Sequence, residues 1–245
     1  MIAALAITAA LVVAPTASSA DCTAESGAFT WGFKESFRAY ISGSIANGGW
    51  TTDGDLGYET PAFFSEALAG SLALDPIEGE LGVEGSLRFT GHDGILDTTI
   101  SNLRFVVESP ERLTVVVDLR GTTQDFVPVD SVDVPFLSGD LAAAQWSETG
   151  DALLLEGIPL TLTAEGAEAF GTYPAGEAFD PLDLEVSTSA ECAARAIEAH
   201  ESDGSLPLAV GATVLATALG GALTAVLVAR ARRRSASAEG PSSGV

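Results

Sequence analysis

From Phe29 to Val186 the chain carries mainly the alternation of apolar and polar residues that is typical of β-strands. Leu68–Leu74 and Gly79–Thr90 show this alternation, and the turn residues Asp75-Pro76 and Glu78-Gly79 stand between them. No internal repeat of solenoid length occurs in this stretch of the sequence. The pattern therefore predicts a single, mainly β domain with an antiparallel, β-sandwich-like architecture and one or two short helices.

The segment Thr30–Gly43, TWGFKESFRAYISG, follows a different period. Its apolar residues recur at spacings of two to four with charged residues between them, which predicts a short amphipathic helix closed by Gly43. These apolar residues are Trp31, Phe33, Phe37 and Ile41. One or two further helical turns are predicted at Thr163–Phe170, with Thr163 as the N-cap. Leu182–Val186 is predicted to be the closing strand of the domain.

Two apolar segments near the ends of the sequence predict export and anchoring. Residues 1–20 combine an apolar run with the small residues of a signal-peptidase site, so they are predicted to be a signal peptide. Residues 206–229 carry no charge and are long enough to cross about 30 Å of hydrocarbon, which predicts a C-terminal transmembrane helix rather than a buried helix. Arginines crowd the tail at 230–245, so that tail is predicted to be cytoplasmic. The expected result is a single-pass cell-membrane protein with an extracellular domain at 21–192 and a juxtamembrane linker at 193–205.

The charge of the predicted extracellular part is strongly negative. Seven Lys and Arg residues stand against 33 Asp and Glu residues before residue 206, a net charge of −26. A surface of this charge repels phosphate backbones and anionic lipid headgroups. Nucleic acid and acidic membrane surfaces are therefore excluded as natural partners.

Cys22 and Cys192 are the only cysteines of the chain. Both fall on the predicted oxidising side of the membrane, at the two ends of the domain, which predicts one disulfide between them. Closing a loop of this length would stabilise the fold by about 4 to 5 kcal/mol in the chain-entropy estimate. A two-cysteine metal site is the alternative, and no CxxC motif or Cys/His cluster supports it.

Few residues of the mature domain could bind a transition metal or a haem iron. The only methionine is Met1, and both cysteines are assigned to the disulfide. The remaining candidates are two histidines and three tyrosines: His92, His200, Tyr40, Tyr58 and Tyr173. No hydrolase, zinc-protease or phosphate-loop motif occurs, so no enzymatic function is predicted.

Three motifs stand in a fixed order along the domain. Trp31–Tyr40 reads W-G-x-K-x-S-F-R-x-Y, Arg88–Gly94 reads R-F-T-G-H-D-G, and Phe170–Leu182 contains Tyr-x-Ala-Gly-x-x-x-x-Pro. Together they resemble the Htaa domain of actinobacterial cell-surface haem-uptake proteins, and the resemblance runs from Phe29 to Val186. It implies a protein that captures ferric haem (protoporphyrin IX) and passes it toward a haem uptake system.

The resemblance also implies roles for individual residues. Tyr40 would be the axial ligand of the haem iron, His92 would lie beside it, and Tyr173 would be a third residue of the haem site. A phenolate is a hard donor that favours Fe³⁺ over Fe²⁺. A phenol is largely protonated at neutral pH, so an imidazole that donates a hydrogen bond to the phenolate would assist coordination. Arg38 or Arg88 could assist it electrostatically.

The implied partners are haem or haemoproteins, a membrane haem transporter and other Htaa-type proteins. Without the resemblance, Tyr40 would be interpreted as a residue at the edge of the core, and His92 as part of a Gly-His-Asp-Gly turn. The alternative function is a surface adhesion or interaction β module without a cofactor.

Several other residues have an ordinary interpretation beside a functional one. Aromatic side chains could wall a porphyrin but more often fill a core, and they are Trp31, Phe33, Phe37, Phe63, Phe64 and Phe89. Asp53, Asp55 and Glu59 resemble part of a calcium loop, but the rest of the EF-hand pattern is missing. His200 is expected to be solvated in the linker.

Overall fold

The computed structural model describes residues 22–122 and 127–204. Eleven strands are described in this part of the chain: β1 Thr23–Trp31, β2 Gly49–Gly54, β3 Gly57–Glu59, β4 Ala62–Leu74, β5 Ile77–Gly91, β6 Leu96–Ser109, β7 Arg112–Thr122, β8 Pro128–Asp140, β9 Gln145–Thr149, β10 Ala152–Leu162 and β11 Ala178–Ser187. Three α-helices accompany them: α1 Glu35–Ser42, α2 Ala164–Phe170 and α3 Ala190–Gly204. The expectation of a mainly β domain is thus confirmed.

The strands form one sheet that closes on itself. Its hydrogen-bonded order runs β5-β6-β7-β8-β10-β11-β1-β4, and β4 pairs back onto β5 to complete the ring. The described pairings are antiparallel. The predicted sandwich of two sheets is therefore wrong, and a barrel-like closed sheet replaces it. Closure follows from long strands with register shifts, because each shift bends the strand and lets β4 pair with β1 and β5.

The start of helix α1 differs from the sequence expectation. Thr30 and Trp31 belong to strand β1, and the helix begins only at Glu35. Phe33 takes a left-handed backbone conformation with φ 63°, which a helix cannot continue through. The apolar residues before the turn serve a strand and a core contact, so their spacing imitated a longer helix. By contrast, α2 follows its prediction, since the Thr163 hydroxyl caps it by accepting a hydrogen bond from the Gly166 amide at 2.8 Å.

An aromatic cluster around Phe33 closes one end of the ring. The Phe33 ring is fully buried and packs against six aromatic neighbours with centroid distances of 5.0 to 6.2 Å. These neighbours are Trp31, Phe37, Phe89, Phe136, Phe170 and Phe179. Five of the six aromatic residues considered as porphyrin walls are therefore buried core residues, and Phe64 is half-buried.

Helices α1 and α2 and the hairpin between β5 and β6 all lie at this end of the ring, which we call the α1 end. Strands β1, β5 and β10 all run toward this end, because neighbouring strands of the ring are antiparallel. The segments that follow these strands, namely α1, the β5–β6 hairpin and α2, therefore lie there. The connection from β7 to β8 also lies there.

The opposite end is held by the predicted disulfide, which is confirmed. Cys22 before β1 and Cys192 in α3 are bonded, with their Cα atoms 5.4 Å apart. Ala193 and Ala196 of α3 are buried in the core, so much of the expected linker at 193–205 is a helix that packs on the domain. His200 stacks on Trp146 with ring centroids 4.1 Å apart, which corrects the expectation of a solvated side chain.

The chain divides into two compact units, residues 1–202 and 203–245, and the fold above belongs to the first. The predicted signal peptide at 1–20 and transmembrane helix at 206–229 lie outside the described residues. Within the described part of the chain, no helix is both long and apolar enough to cross a membrane. Nor do its His, Cys, Asp and Glu side chains form a group of three that could hold a metal ion, so Asp53, Asp55 and Glu59 do not converge.

Candidate functional site

Helix α1 is anchored at its first turn by Asp180 of strand β11. Lys34 occupies the N-cap position without capping through its side chain, and the Asp180 carboxylate instead accepts a hydrogen bond from the Glu35 amide at 3.0 Å. The same carboxylate accepts from Arg38 Nη2 at 3.2 Å. The Asp180 backbone carbonyl accepts from Trp31 Nε1 at 3.0 Å. One acidic residue of the third motif therefore joins both ends of the first motif to the sheet.

Two cationic side chains of the first motif, those of Lys34 and Arg38, take part in this anchoring. Arg38 is buried against Asp180, and Lys34 Nζ donates to the Ala178 carbonyl at 2.7 Å and lies 2.8 Å from Glu177. Arg38 therefore holds the helix in place through its ion pair with Asp180. Sequence reasoning missed Asp180, and its only signal was its place inside the third motif.

Tyr40 and His92 are brought together at the α1 end. The Tyr40 hydroxyl oxygen lies 2.5 Å from His92 Nε2, and both residues are half-buried. Tyr40 stands in the last turn of α1, and His92 directly follows strand β5. They are 52 residues apart in sequence, so only the tertiary fold creates this hydrogen bond.

The backbone around His92 is built for this approach. His92 and Asp93 both take left-handed conformations, with φ 51° and 55°, and the His92 amide donates to the Ala46 carbonyl at 2.6 Å. The loop after α1 crosses β5 closely at Gly48, where a Cβ atom would stand 1.9 Å from the Thr90 carbonyl oxygen. The second motif thus packs against the segment that follows the first.

The hydrogen bond can run in either direction, depending on the imidazole tautomer. A neutral phenol donates to an unprotonated Nε2, whereas an Nε2–H donates to a phenolate. The second arrangement stabilises the anionic oxygen that a ferric ion prefers as ligand. The geometry therefore suits a tyrosine that binds a metal centre and a histidine that supports it.

Tyr173 lies in the segment between α2 and β11, and it packs beside the first turn of α1. Its ring packs against Phe37, Phe170 and Phe179 with centroid distances of 6.2 to 6.4 Å. Lys34 Nζ lies 4.9 Å from the ring centroid, in a cation–π contact. Tyr173 is half-buried, and these contacts place it beside the anchored start of α1.

Exposed apolar side chains follow both Tyr40 and His92 closely in the sequence. Ile45 follows α1 and is 75% exposed, and Ile95 follows the His92 turn and is 38% exposed. Val127, directly before β8, and Val132, in the first half of β8, are the other large apolar residues exposed in the described chain. Exposed apolar residues that gather in one region mark a binding surface.

Arg88, which the sequence had offered as a second assistant, pairs with Asp97 across the β5–β6 hairpin. Its Nε donates to the Asp97 carboxylate at 2.7 Å, and Nη2 donates to the other oxygen. The hydrogen bond from Arg88 lowers the pKa of Asp97 below its ordinary value, although partial burial opposes the shift. The pair raises the pKa of the Arg88 guanidinium for the same reason.

Comparison with known proteins agrees with this combination of fold and motifs. The sequence model of the Htaa family matches residues 26–185, which is most of the described chain. The chain belongs to the Htaa family. No curated protein sequence matches it significantly.

Solved structures of other Htaa proteins share the fold. The C-terminal domain of HtaA from Corynebacterium glutamicum is 25% identical with a TM-score of 0.60, covering 68% of this chain and 98% of that domain. The N-terminal domain of the same protein is 30% identical with a TM-score of 0.54, covering 68% of this chain and 99% of that domain. The heme binding protein HtaB from the same organism is 21% identical with a TM-score of 0.52, covering 69% of this chain and 96% of that chain. At that identity HtaB supports the fold alone.

Proposed function

We propose that this Htaa protein binds ferric haem at the α1 end, with the Tyr40 phenolate as axial ligand of the iron. The observation that carries the proposal is the 2.5 Å contact between the Tyr40 hydroxyl and His92 Nε2. Exposed Ile45 and Ile95 follow these two residues closely in the sequence. Haem needs both a donor for its iron and apolar surface for its ring. Membership of the Htaa family, whose motifs resemble those of haem-uptake proteins, supports the same ligand.

The other candidate donors of the described chain have structural roles. Cys22 and Cys192 are bonded to each other, and His200 stacks on Trp146. Tyr58 packs on Trp50 and Phe63 with centroid distances of 5.2 and 4.8 Å. Tyr40 is thus the donor with both partial exposure and a hydrogen-bonded imidazole.

His92 and Tyr173 complete the proposed site in different ways. His92 orients the phenol and stabilises its anion through Nε2, which keeps the iron in the ferric state. Tyr173 supports the first turn of α1, at the border of the site.

We further propose that the protein acts at the cell surface and carries haem rather than transforming it. In this proposal the signal peptide exports the chain, residues 206–229 anchor it in the membrane, and the domain passes haem to a transporter or another Htaa protein. The disulfide supports an oxidising compartment, since cytosolic proteins rarely keep one. A tyrosinate ligand favours transport of haem over redox chemistry, because it disfavours reduction of the iron.

Titration of the full chain with hemin tests the proposal. The wild-type protein, purified in detergent, should give a Soret band and the charge-transfer bands of five-coordinate tyrosinate ferric haem. Tyr40→Phe should lose those bands, whereas Tyr58→Phe, the control, should keep them. An unchanged spectrum and affinity in Tyr40→Phe would show that Tyr40 is not the ligand. A colourless wild-type protein would instead favour an adhesion or interaction module.

His92 is tested separately. His92→Ala should weaken hemin binding by about 10- to 100-fold and shift the Soret band, as expected for loss of a group that supports a metal ligand. His200→Ala is the matched control, because His200 contacts Trp146 at a distance from the pair. Equal hemin affinity and equal spectra for wild type and His92→Ala would contradict the role of His92.

A further inference from the structure

We propose that Arg88 and Arg120 recognise the two carboxylates of the bound porphyrin, so that the protein selects a dicarboxylate ligand. This inference rests on the proposed haem site and adds a second recognition element to it. It concerns the outer face of the sheet beside the Tyr40–His92 pair.

The two arginines belong to one cross-strand row. Arg88 of β5 lies opposite Thr99 of β6, Thr99 lies opposite Arg120 of β7, and Arg120 lies opposite Asp130 of β8. Their strand neighbours Leu87, Phe89 and Leu119 are buried, so both arginines point outward from the same face. Two strand spacings separate their Cα atoms by about 10 Å.

A shallow surface cavity of about 520 Å³, wide open to solvent, is lined by both arginines. The hydroxyl-bearing residues Thr99 and Thr122 and the acidic residues Asp97 and Asp130 also line it. This cavity therefore presents two guanidinium groups, each paired with one carboxylate, and two hydroxyl groups to one ligand.

The cavity adjoins the proposed iron site along strand β5. Arg88 and Thr90 face outward, and after Gly91 the chain enters the His92 turn. His92 is four residue steps of extended chain beyond Arg88, which places their Cα atoms about 13 Å apart. Asp97, which holds Arg88, is the second residue of the returning strand β6.

The distribution of charge makes these two arginines distinctive. The ligand carries two carboxylates, whereas the domain carries a large excess of acidic residues that repels anions. Arg88 and Arg120 are 52% and 74% exposed at the side chain. The other cations of the described chain are buried, confined between carboxylates or distant from the α1 end, and they are Lys34, Arg38, Arg104, Arg112 and Arg195.

Both guanidinium groups are oriented by a neighbouring carboxylate and keep donors for a ligand. Arg88 uses Nε and Nη2 on Asp97, and Arg120 uses Nε and Nη2 on Asp130 at 3.1 Å. A guanidinium has five N–H donors, so each arginine retains Nη1 for a second carboxylate. Exposed ion pairs of this kind add little stability, which leaves their binding capacity as the feature to explain.

Hemin and hemin dimethyl ester distinguish recognition of the carboxylates from recognition of the iron. The ester has the same iron and ring but two neutral side groups. The full chain in detergent should bind hemin about 100-fold more tightly than the ester, since two charge-assisted hydrogen bonds are lost at an exposed site. The Tyr40-dependent charge-transfer bands should appear with both ligands.

Variants of the two arginines test whether these residues cause the difference in affinity between hemin and its ester. Arg88→Gln and Arg120→Gln should each weaken hemin binding about tenfold, keep the Soret position, and leave affinity for the ester unchanged. Arg112→Gln is the matched control, because Arg112 is exposed at the start of β7 at the opposite end of the sheet. Equal affinity of the wild type for hemin and its ester would overturn the inference while leaving Tyr40 ligation intact. Equal losses of affinity for hemin and for its ester in the Arg88 and Arg120 variants would also overturn it. If the wild type binds no hemin, this inference and the proposed function are overturned together.

Discussion

The Tyr40 hydroxyl is hydrogen-bonded to His92, which lies 52 positions later in the sequence. Its own helix supplies the position, and the left-handed backbone of His92 turns the imidazole toward the hydroxyl. A non-glycine residue in that conformation is uncommon and is often found where function requires it. At the scale of single residues, the site depends on one hydrogen bond and the two backbone turns that form it.

Two variants of Tyr173 distinguish the role of its aromatic ring from the role of its hydroxyl group. Its described contacts are ring contacts with Phe37, Phe170 and Phe179 and with the Lys34 ammonium. Tyr173→Phe keeps that ring, so thermal unfolding and the Soret band should be unchanged and hemin affinity should fall by no more than about twofold. Tyr173→Ala removes it and should lower the free energy of unfolding by about 2 kcal/mol, because the ring is only half-buried. A spectral change in Tyr173→Phe would assign the hydroxyl a direct contact with the ligand.

At the scale of elements, α1 is a helix that depends on another strand. Eight residues are too few for stability on their own, and its N-cap residue, Lys34, provides no side-chain cap. Asp180 supplies both the cap and the counterion of Arg38. Gly32 permits that approach, because a Cβ atom there would stand 2.3 Å from the Asp180 carboxylate.

Removing Asp180 should therefore loosen α1 and the site together. Asp180→Ala leaves Arg38 buried without its counterion, so the free energy of unfolding should fall by about 3 kcal/mol, and hemin affinity should fall because Tyr40 is less well positioned. Asp180→Asn keeps an acceptor for the Glu35 amide and should lose less. Chemical denaturation and hemin titration measure the two effects. Glu185→Ala, at an exposed position of the same strand, is the control, and a loss as large as that of Asp180→Ala would argue against a specific anchor.

At the scale of the whole molecule, the closed sheet places the proposed haem site and the stabilising disulfide at opposite ends. The α1 end carries the proposed site, and the other end carries the disulfide that joins Cys22 to α3. Closure satisfies the edges of the eight ring strands, so the extra strands β2, β3 and β9 border a framework that is already complete.

The disulfide should stabilise the fold without affecting the site. Replacing both cysteines, Cys22→Ser with Cys192→Ser, opens a loop with a sequence separation of 170 and should lower the free energy of unfolding by about 4 to 5 kcal/mol. The hemin spectrum below the unfolding transition should match that of the wild type. Denaturant unfolding with and without reductant measures the change. A wild type that is indifferent to reductant would contradict the estimate, and a shifted Soret band in the folded variant would contradict the separation of the two ends.

The sequence sufficed wherever the deciding interaction is local or the choices are few. Alternation along β5 reports which side chains face the interior, because successive strand residues point to opposite faces. Thr163 predicted its own helix start, since capping involves residues three apart. Two cysteines at opposite ends of one domain allowed a single pairing, and the ordered motifs singled out Tyr40 and His92, which the structure brings into hydrogen-bond contact.

Tertiary pairing decided the rest, because it joins residues whose separation no local pattern encodes. Strand β4 pairs with β1 on one side and β5 on the other, and this choice turns the expected sandwich into a closed sheet. Asp180 takes Arg38 as a partner 142 residues away, although the sequence equally allowed Arg38 to face the phenol. The row from Arg88 to Arg120 likewise exists only through the register of three neighbouring strands. Alternation determines the face of each side chain, whereas hydrogen-bond register between distant strands determines its neighbours.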